Sequence, residues 1–112
     1  MIRYGGRLFR AVSSDENGQV DSETIFKYEQ HGTLVTATYS GGRIHFGQIL
    51  GQMRDNGQLD MRYHHVTHAG ELMTGICITT PEFTETGKMR LHERWQWTCG
   101  DQSTGRSTLE EI

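Results

Sequence analysis

Glycine-containing dipeptides recur along the chain, each at the end of a short stretch rich in β-branched and aromatic residues. They are Asn17-Gly18, His31-Gly32, Gly41-Gly42, Asn56-Gly57, Ala69-Gly70 and Thr86-Gly87. Asn-Gly and Gly-Gly fit two-residue hairpin turns, because such turns hold both central residues at positive φ. Between the glycines no stretch keeps a helical period. The pattern therefore predicts about eight strands, near residues 6–13, 20–30, 33–40, 43–54, 58–68, 71–85, 88–99 and 106–112. Strands joined by tight turns pair with their chain neighbours, which makes an antiparallel up-and-down meander.

The turns also fix which residues share a face. With the glycine dipeptides at the turn centres, Tyr28 pairs with Val35 and Ala37 with Phe46. Leu50 then pairs with Tyr63, Tyr63 with Ile76, and Ile76 with Trp97. The Asn17-Gly18 turn pairs Phe9 with Phe26, so one apolar face runs through every registered strand. The stretch "CGDQSTG" is too long to register the last strand in this way. A meander of this length removes its exposed edges by closing on itself. The expected fold is all-β, a small calycin-like barrel spanning residues 1–112 as a single domain. An open sandwich with a solid core is the alternative.

Composition narrows the function classes. The net charge is −3 with no block of like charge, so there is no electrostatic footprint for nucleic acid or anionic lipid. No apolar run approaches the roughly 18 residues of a membrane-spanning helix. The N-terminal stretch "MIRYGGRLFR" has no apolar core of signal-peptide length, and the two cysteines make no disulfide framework. A cytoplasmic protein is expected.

The stretches "YSGG", "DMRYHHV", "GELMTGIC" and "RLHERWQWTCGDQSTG" resemble a family of short bacterial proteins often labelled N-acetylglutamate synthase. The resemblance covers nearly the whole chain. Acetyltransferase chemistry of that kind implies an α/β fold with a glycine-rich loop at a helix N-terminus. Here "SGGR" reads as a hairpin turn between strands instead. In architecture the pattern is similar to the calycins, the lipocalin-like barrels, which implies an interior that binds a small apolar molecule.

The inferred interior face is partly polar. It includes Tyr28, Tyr39, Gln48, Tyr63, His65, Thr74, Thr80 and Glu93. Each unpaired buried polar group costs on the order of 1–3 kcal/mol, so either wet barrel mouths or a polar-lined cavity is expected. The stretch "RLHERWQW" puts Glu93 on the same face as Leu91, Trp95 and Trp97. An inward carboxylate is costly unless paired, and Arg54, on the same face by register, is its expected partner about 14 Å away around the wall. Gln48 and Thr74 flank His65 and would fix its tautomer. A lone interior histidine reads either as a hydrogen-bonded core residue or as a donor or base near neutral pH. Trp95 and Trp97 read as core, or as walls for a flat or aliphatic ligand.

The candidate ligand-binding set is thus Tyr28, Gln48, Arg54, Tyr63, His65, Glu93, Trp95 and Trp97. No metal site is expected: His64 and His68 share a face but stand about 13 Å apart, and His45 opposite His68 gives only two ligands. Cys77 is expected to face out and Cys99 in. No cofactor is implied. The outer residues Leu34, Ile49, Met53, Val66 and Met73 fit a homodimer. A barrel that binds a small molecule is the leading reading. The alternatives are an enzyme on the same barrel, with His65 or Glu93 as acid or base, and an assembly protein with a filled barrel.

Overall fold

The computed structural model describes residues 2–112. Its strands are β1 (Leu8–Ser14), β2 (Ile25–His31), β3 (Leu34–Gly41), β4 (Ile44–Met53), β5 (Leu59–Thr67), β6 (Leu72–Phe83), β7 (Met89–Trp97) and β8 (Thr104–Glu111). Each is antiparallel to the next, and β8 pairs with β1 to close the barrel. Among the described residues there is no helix, so no helix N-terminus is available to a pyrophosphate. The expected all-β meander and its closure are both present.

Alternation works as the sequence implies in β2, β3, β5 and β7. Phe26, Tyr28, Val35, Ala37, Tyr39, Leu59, Met61, His65, Leu91, Glu93, Trp95 and Trp97 all point inward and are buried. Phe9 pairs with Phe26 as expected. Tyr28 pairs with Ala37 rather than Val35, because the β2–β3 turn is Gly32-Thr33; a slip of two residues keeps the face.

In β4 and β6 the face is reversed from expectation. Three loops hold one more residue than a two-residue turn. The Arg54 N–H donates to the Gln58 carbonyl and the Gly57 N–H to the Arg54 carbonyl, at 2.8 and 2.9 Å. The same pair of bonds recurs from Thr67 and Gly70 and from Thr84 and Gly87. The third loop residue is each time a glycine at φ 87°, 86° or 82°. This is the three-residue hairpin loop with a left-handed glycine bulge. At the Gly41-Gly42 turn the extra residue is a β-bulge instead: Gly41 pairs with Ile44 but Tyr39 with Gly47, and His45 and Phe46 both face solvent.

Each extra residue flips the face, and the flips cancel in pairs. Gly47, Ile49, Gly51 and Met53 point inward from β4, so Phe46, Gln48, Leu50 and Gln52 lie outside. Gly75, Cys77 and Thr79 point inward from β6, so Thr74, Ile76, Ile78 and Thr80 lie outside. Cys77 is therefore buried rather than outward, while Cys99 is half-buried. Ile49 and Met53 belong to the core, not to an outer patch. The exposed large apolar residues of the wall include Leu34, Phe46, Leu50 and Leu72.

Mid-strand glycines receive aromatic rings. Tyr39 pairs with Gly47, Tyr63 with Gly75 and Trp95 with Gly105. A Cβ added at any of these glycines would collide with the ring opposite. The rings thus lie over the neighbouring strand's backbone, which keeps the barrel centre from filling.

The two barrel ends are closed differently. At one end the N-terminal segment folds in: Tyr4 is fully buried, its hydroxyl donates to the Gly57 carbonyl, and its N–H donates to Gln30 Oε1. At the other end the connection 15–24 between β1 and β2 crosses the opening.

Candidate functional site

Beneath residues 15–24 lies a cavity of about 50 Å³. Its walls include Phe26, Tyr39, Tyr63, Trp95 and Trp97, its roof Gly18, Gln19 and Val20, and its polar groups His65, Glu93, Ser14 and Ser107. Alternation brings these residues together from β1, β2, β3, β5, β7 and β8, since each stands at an inward position of its strand. Both indole N–H groups are already used. Trp95 donates to Ser107 Oγ at 2.8 Å, which sits 3.0 Å from Ser14 Oγ, and Trp97 donates to the Asn17 carbonyl at 3.0 Å. The indole rings are thereby fixed, and what they offer an occupant is apolar surface.

His65 ties the roof to the wall. Its Nε2 is 2.7 Å from Gln19 Oε1 and its Nδ1 is 2.7 Å from the Tyr39 hydroxyl. An amide oxygen only accepts, so Nε2 carries the proton and Nδ1 accepts from Tyr39. Burial, helped by the nearby His64 and Arg43 charges, lowers the His65 pKa to about 4, so the ring is neutral near pH 7. Burial likewise pushes the Tyr39 phenol well up. Gln48 and Thr74 do not flank this imidazole: Gln48 lies outside and contacts His64, and Thr74 lies outside beside Thr98. The tautomer is fixed by Tyr39 and Gln19 instead.

Glu93 points inward, as the sequence implies, but not toward Arg54. Arg54 is exposed and sits 3.5 Å from Asp60 on the outer side. The expected Glu93–Arg54 pair fails because the bulge after Gly41 reverses the face of β4, which takes Arg54 out of the inward set. Glu93 stands between Thr79 and Ser107 on the neighbouring strands. Thr79 Oγ1 donates to Glu93 Oε2 at 3.4 Å, and among the described residues no basic side chain forms an ion pair with it. Burial therefore dominates and raises its pKa to about 7, with the Thr79 bond opposing. Its negative charge in turn pushes up the phenols of Tyr28, Tyr39 and Tyr63 and the Cys77 thiol, all already raised by burial.

Of the candidate residues, Tyr63, His65, Glu93, Trp95 and Trp97 line the cavity. Tyr28 lies deeper, stacked on Tyr4 at 6.3 Å and edge-on to Phe9 at 5.1 Å. Its buried hydroxyl has no hydrogen-bond partner among the described residues. Gln48 and Arg54 are on the outer wall. Sequence reasoning missed Gln19 and the serines Ser14 and Ser107. Ser107 follows from the inward parity of β8, but β8 had no register, and Ser14 faces inward only because a bulge between Ala11 and Ser13 shifts the phase of β1. Gln19 lies in an irregular connection, where alternation carries no information.

A comparison with protein-family models matches residues 2–112 to one described as avidin-like protein. No curated protein and no solved structure matches significantly. The match covers nearly the whole chain and agrees with an eight-stranded antiparallel barrel whose interior is lined by aromatic rings. The chain belongs to the avidin-like protein family.

Proposed function

We propose that this barrel binds a small molecule in the cavity beneath residues 15–24. The observation that carries the proposal is the cavity itself. Five aromatic rings and a buried, unpaired carboxylate surround space that the core side chains leave open, and a loop covers it. A filled structural barrel would place apolar side chains there. Catalysis by His65 is disfavoured, because Gln19 and Tyr39 occupy both ring nitrogens. The volume of about 50 Å³ is far below the roughly 300–1,000 Å³ of pockets that enclose drug-sized ligands. The covered form therefore takes a small head group, and any longer tail leaves past residues 15–24.

Native mass spectrometry of freshly purified protein tests this, with a retained ligand expected above the 12.8 kDa chain mass. Tryptophan emission offers a second readout, since Trp95 and Trp97 line the cavity. Family membership makes biotin the first probe to titrate. An empty chain by mass, together with no saturable emission change for biotin or for small neutral and charged probes, would sink the proposal.

A further inference from the structure

The interior is strongly one-sided in charge and hydrogen-bonding character. Among the described residues the cavity is lined by the carboxyl group of Glu93 and by no arginine or lysine. The titratable groups that share the interior with Glu93 are the phenols of Tyr28 on β2, Tyr39 on β3 and Tyr63 on β5 and, from the adjacent strand β6, the thiol of Cys77. All four are held neutral through pH 8. His65, in the same cavity, is neutral there too. Ser107 beside Glu93 is occupied by the Trp95 indole. Among the described residues an ionised Glu93 thus meets only one weak donor, Thr79 at 3.4 Å. Around it stand the rings of Phe26, Tyr39, Tyr63, Trp95 and Trp97.

Aromatic faces carry partial negative charge and attract cations, tryptophan most strongly. A buried carboxylate lacks compensation until a cation joins it. We propose that the cavity takes a small organic cation, an alkylammonium head group, with Glu93 as its counter-ion and the aromatic rings as its walls. This assignment rests on the small-molecule-binding reading above and names the chemical class of the ligand. The cation's N–H groups meet the carboxylate, its alkyl part meets the rings, and the serine and histidine network stays intact.

The test titrates tryptophan emission of the full chain with isopropylammonium, acetamide and acetate, probes of similar size and different charge, at pH 6 and pH 8. Isopropylammonium is expected to bind best. Its affinity should rise about tenfold from pH 6 to pH 8, as a carboxyl with a pKa of about 7 goes from roughly a tenth to nine-tenths ionised. Glu93→Gln, which keeps size and shape, should lose at least tenfold in affinity for the cation and all of its pH dependence. Circular dichroism and melting of the variant check that the barrel remains folded. Tighter binding of acetamide or acetate, or undiminished cation binding by Glu93→Gln, would overturn the cation assignment and leave the binding role standing. Silence from all three probes and from biotin would overturn both.

Discussion

The two ends of this barrel are each closed by a segment outside the strands, yet they are built differently. The N-terminal end is packed. Tyr4 is fully buried, stacks on Tyr28, and satisfies its hydroxyl and N–H within the protein. The opposite end is bridged. Residues 15–24 are held by polar contacts, from Gln19 to His65 and from Asn17 to Trp97, Ser103 and Thr104, and space remains beneath them. Apolar burial closes one end for stability. Directional hydrogen bonds hold the other, and these can exchange with water, which fits the proposed binding role of that end.

The largest expected effect comes at the packed end. Tyr4→Ala should lose about 3–5 kcal/mol, the range of a truncated core aromatic, with binding at the far end retained. Trp97→Ala at the bridged end should fall in the same range and abolish binding as well. Urea denaturation and a ligand titration on both variants separate the ends; a Tyr4→Ala loss under 1 kcal/mol would mean the plug is not part of the core.

Next in size are the two buried titrating groups. The folded pKa of Glu93 is raised, so its contribution to stability is full below about 4.5 and lost as pH rises through about 7. The folded pKa of His65 is lowered, so its contribution is full above 6.5 and lost as pH falls toward about 4. Each amounts to on the order of 3 kcal/mol over its window, and they oppose one another between pH 4.5 and 6.5. The wild type should therefore change little with pH there on their account. Glu93→Gln should expose the His65 slope, with stability climbing as pH rises through that window. Denaturant midpoints across pH measure it, and an unchanged profile in the variant would mean that Glu93 is not desolvated.

Gly75→Ala should cost about 1–3 kcal/mol, because its Cβ meets the Tyr63 ring and overpacking is costly. Gly87→Ala makes a useful control: a Cβ there has open space, and only the positive φ opposes it. Equal losses at the two positions, by thermal melting, would deny the ring its place over β6. The smallest effect is expected from Gln19→Ala, about 1 kcal/mol for one hydrogen bond. Its clearer signature should be faster ligand dissociation, seen by stopped-flow fluorescence. A dissociation rate equal to wild type would mean residues 15–24 do not gate the cavity.

Alternation and glycine spacing by themselves determined the number of strands, their meander order, and the inward direction of Tyr63, His65, Glu93, Trp95 and Trp97, and they made closure the leading expectation; the β8–β1 pairing that closes the barrel was decided by the tertiary structure. Period two is a property of the extended backbone, so it survives in any pairing that buries one face. The phase of that period in β4 and β6 depended on single extra residues: a bulge near His45 and the third loop residues Gly57, Gly70 and Gly87. A glycine dipeptide fits both loop lengths, so only the closed sheet decided that Arg54 and Gln48 face solvent and that Cys77 and Ile49 face the core. The partners of His65 and the isolation of Glu93 were likewise tertiary matters. Gln19 comes from an irregular connection, and the phenols that share the interior with Glu93 come from β2, β3 and β5, far away in the chain.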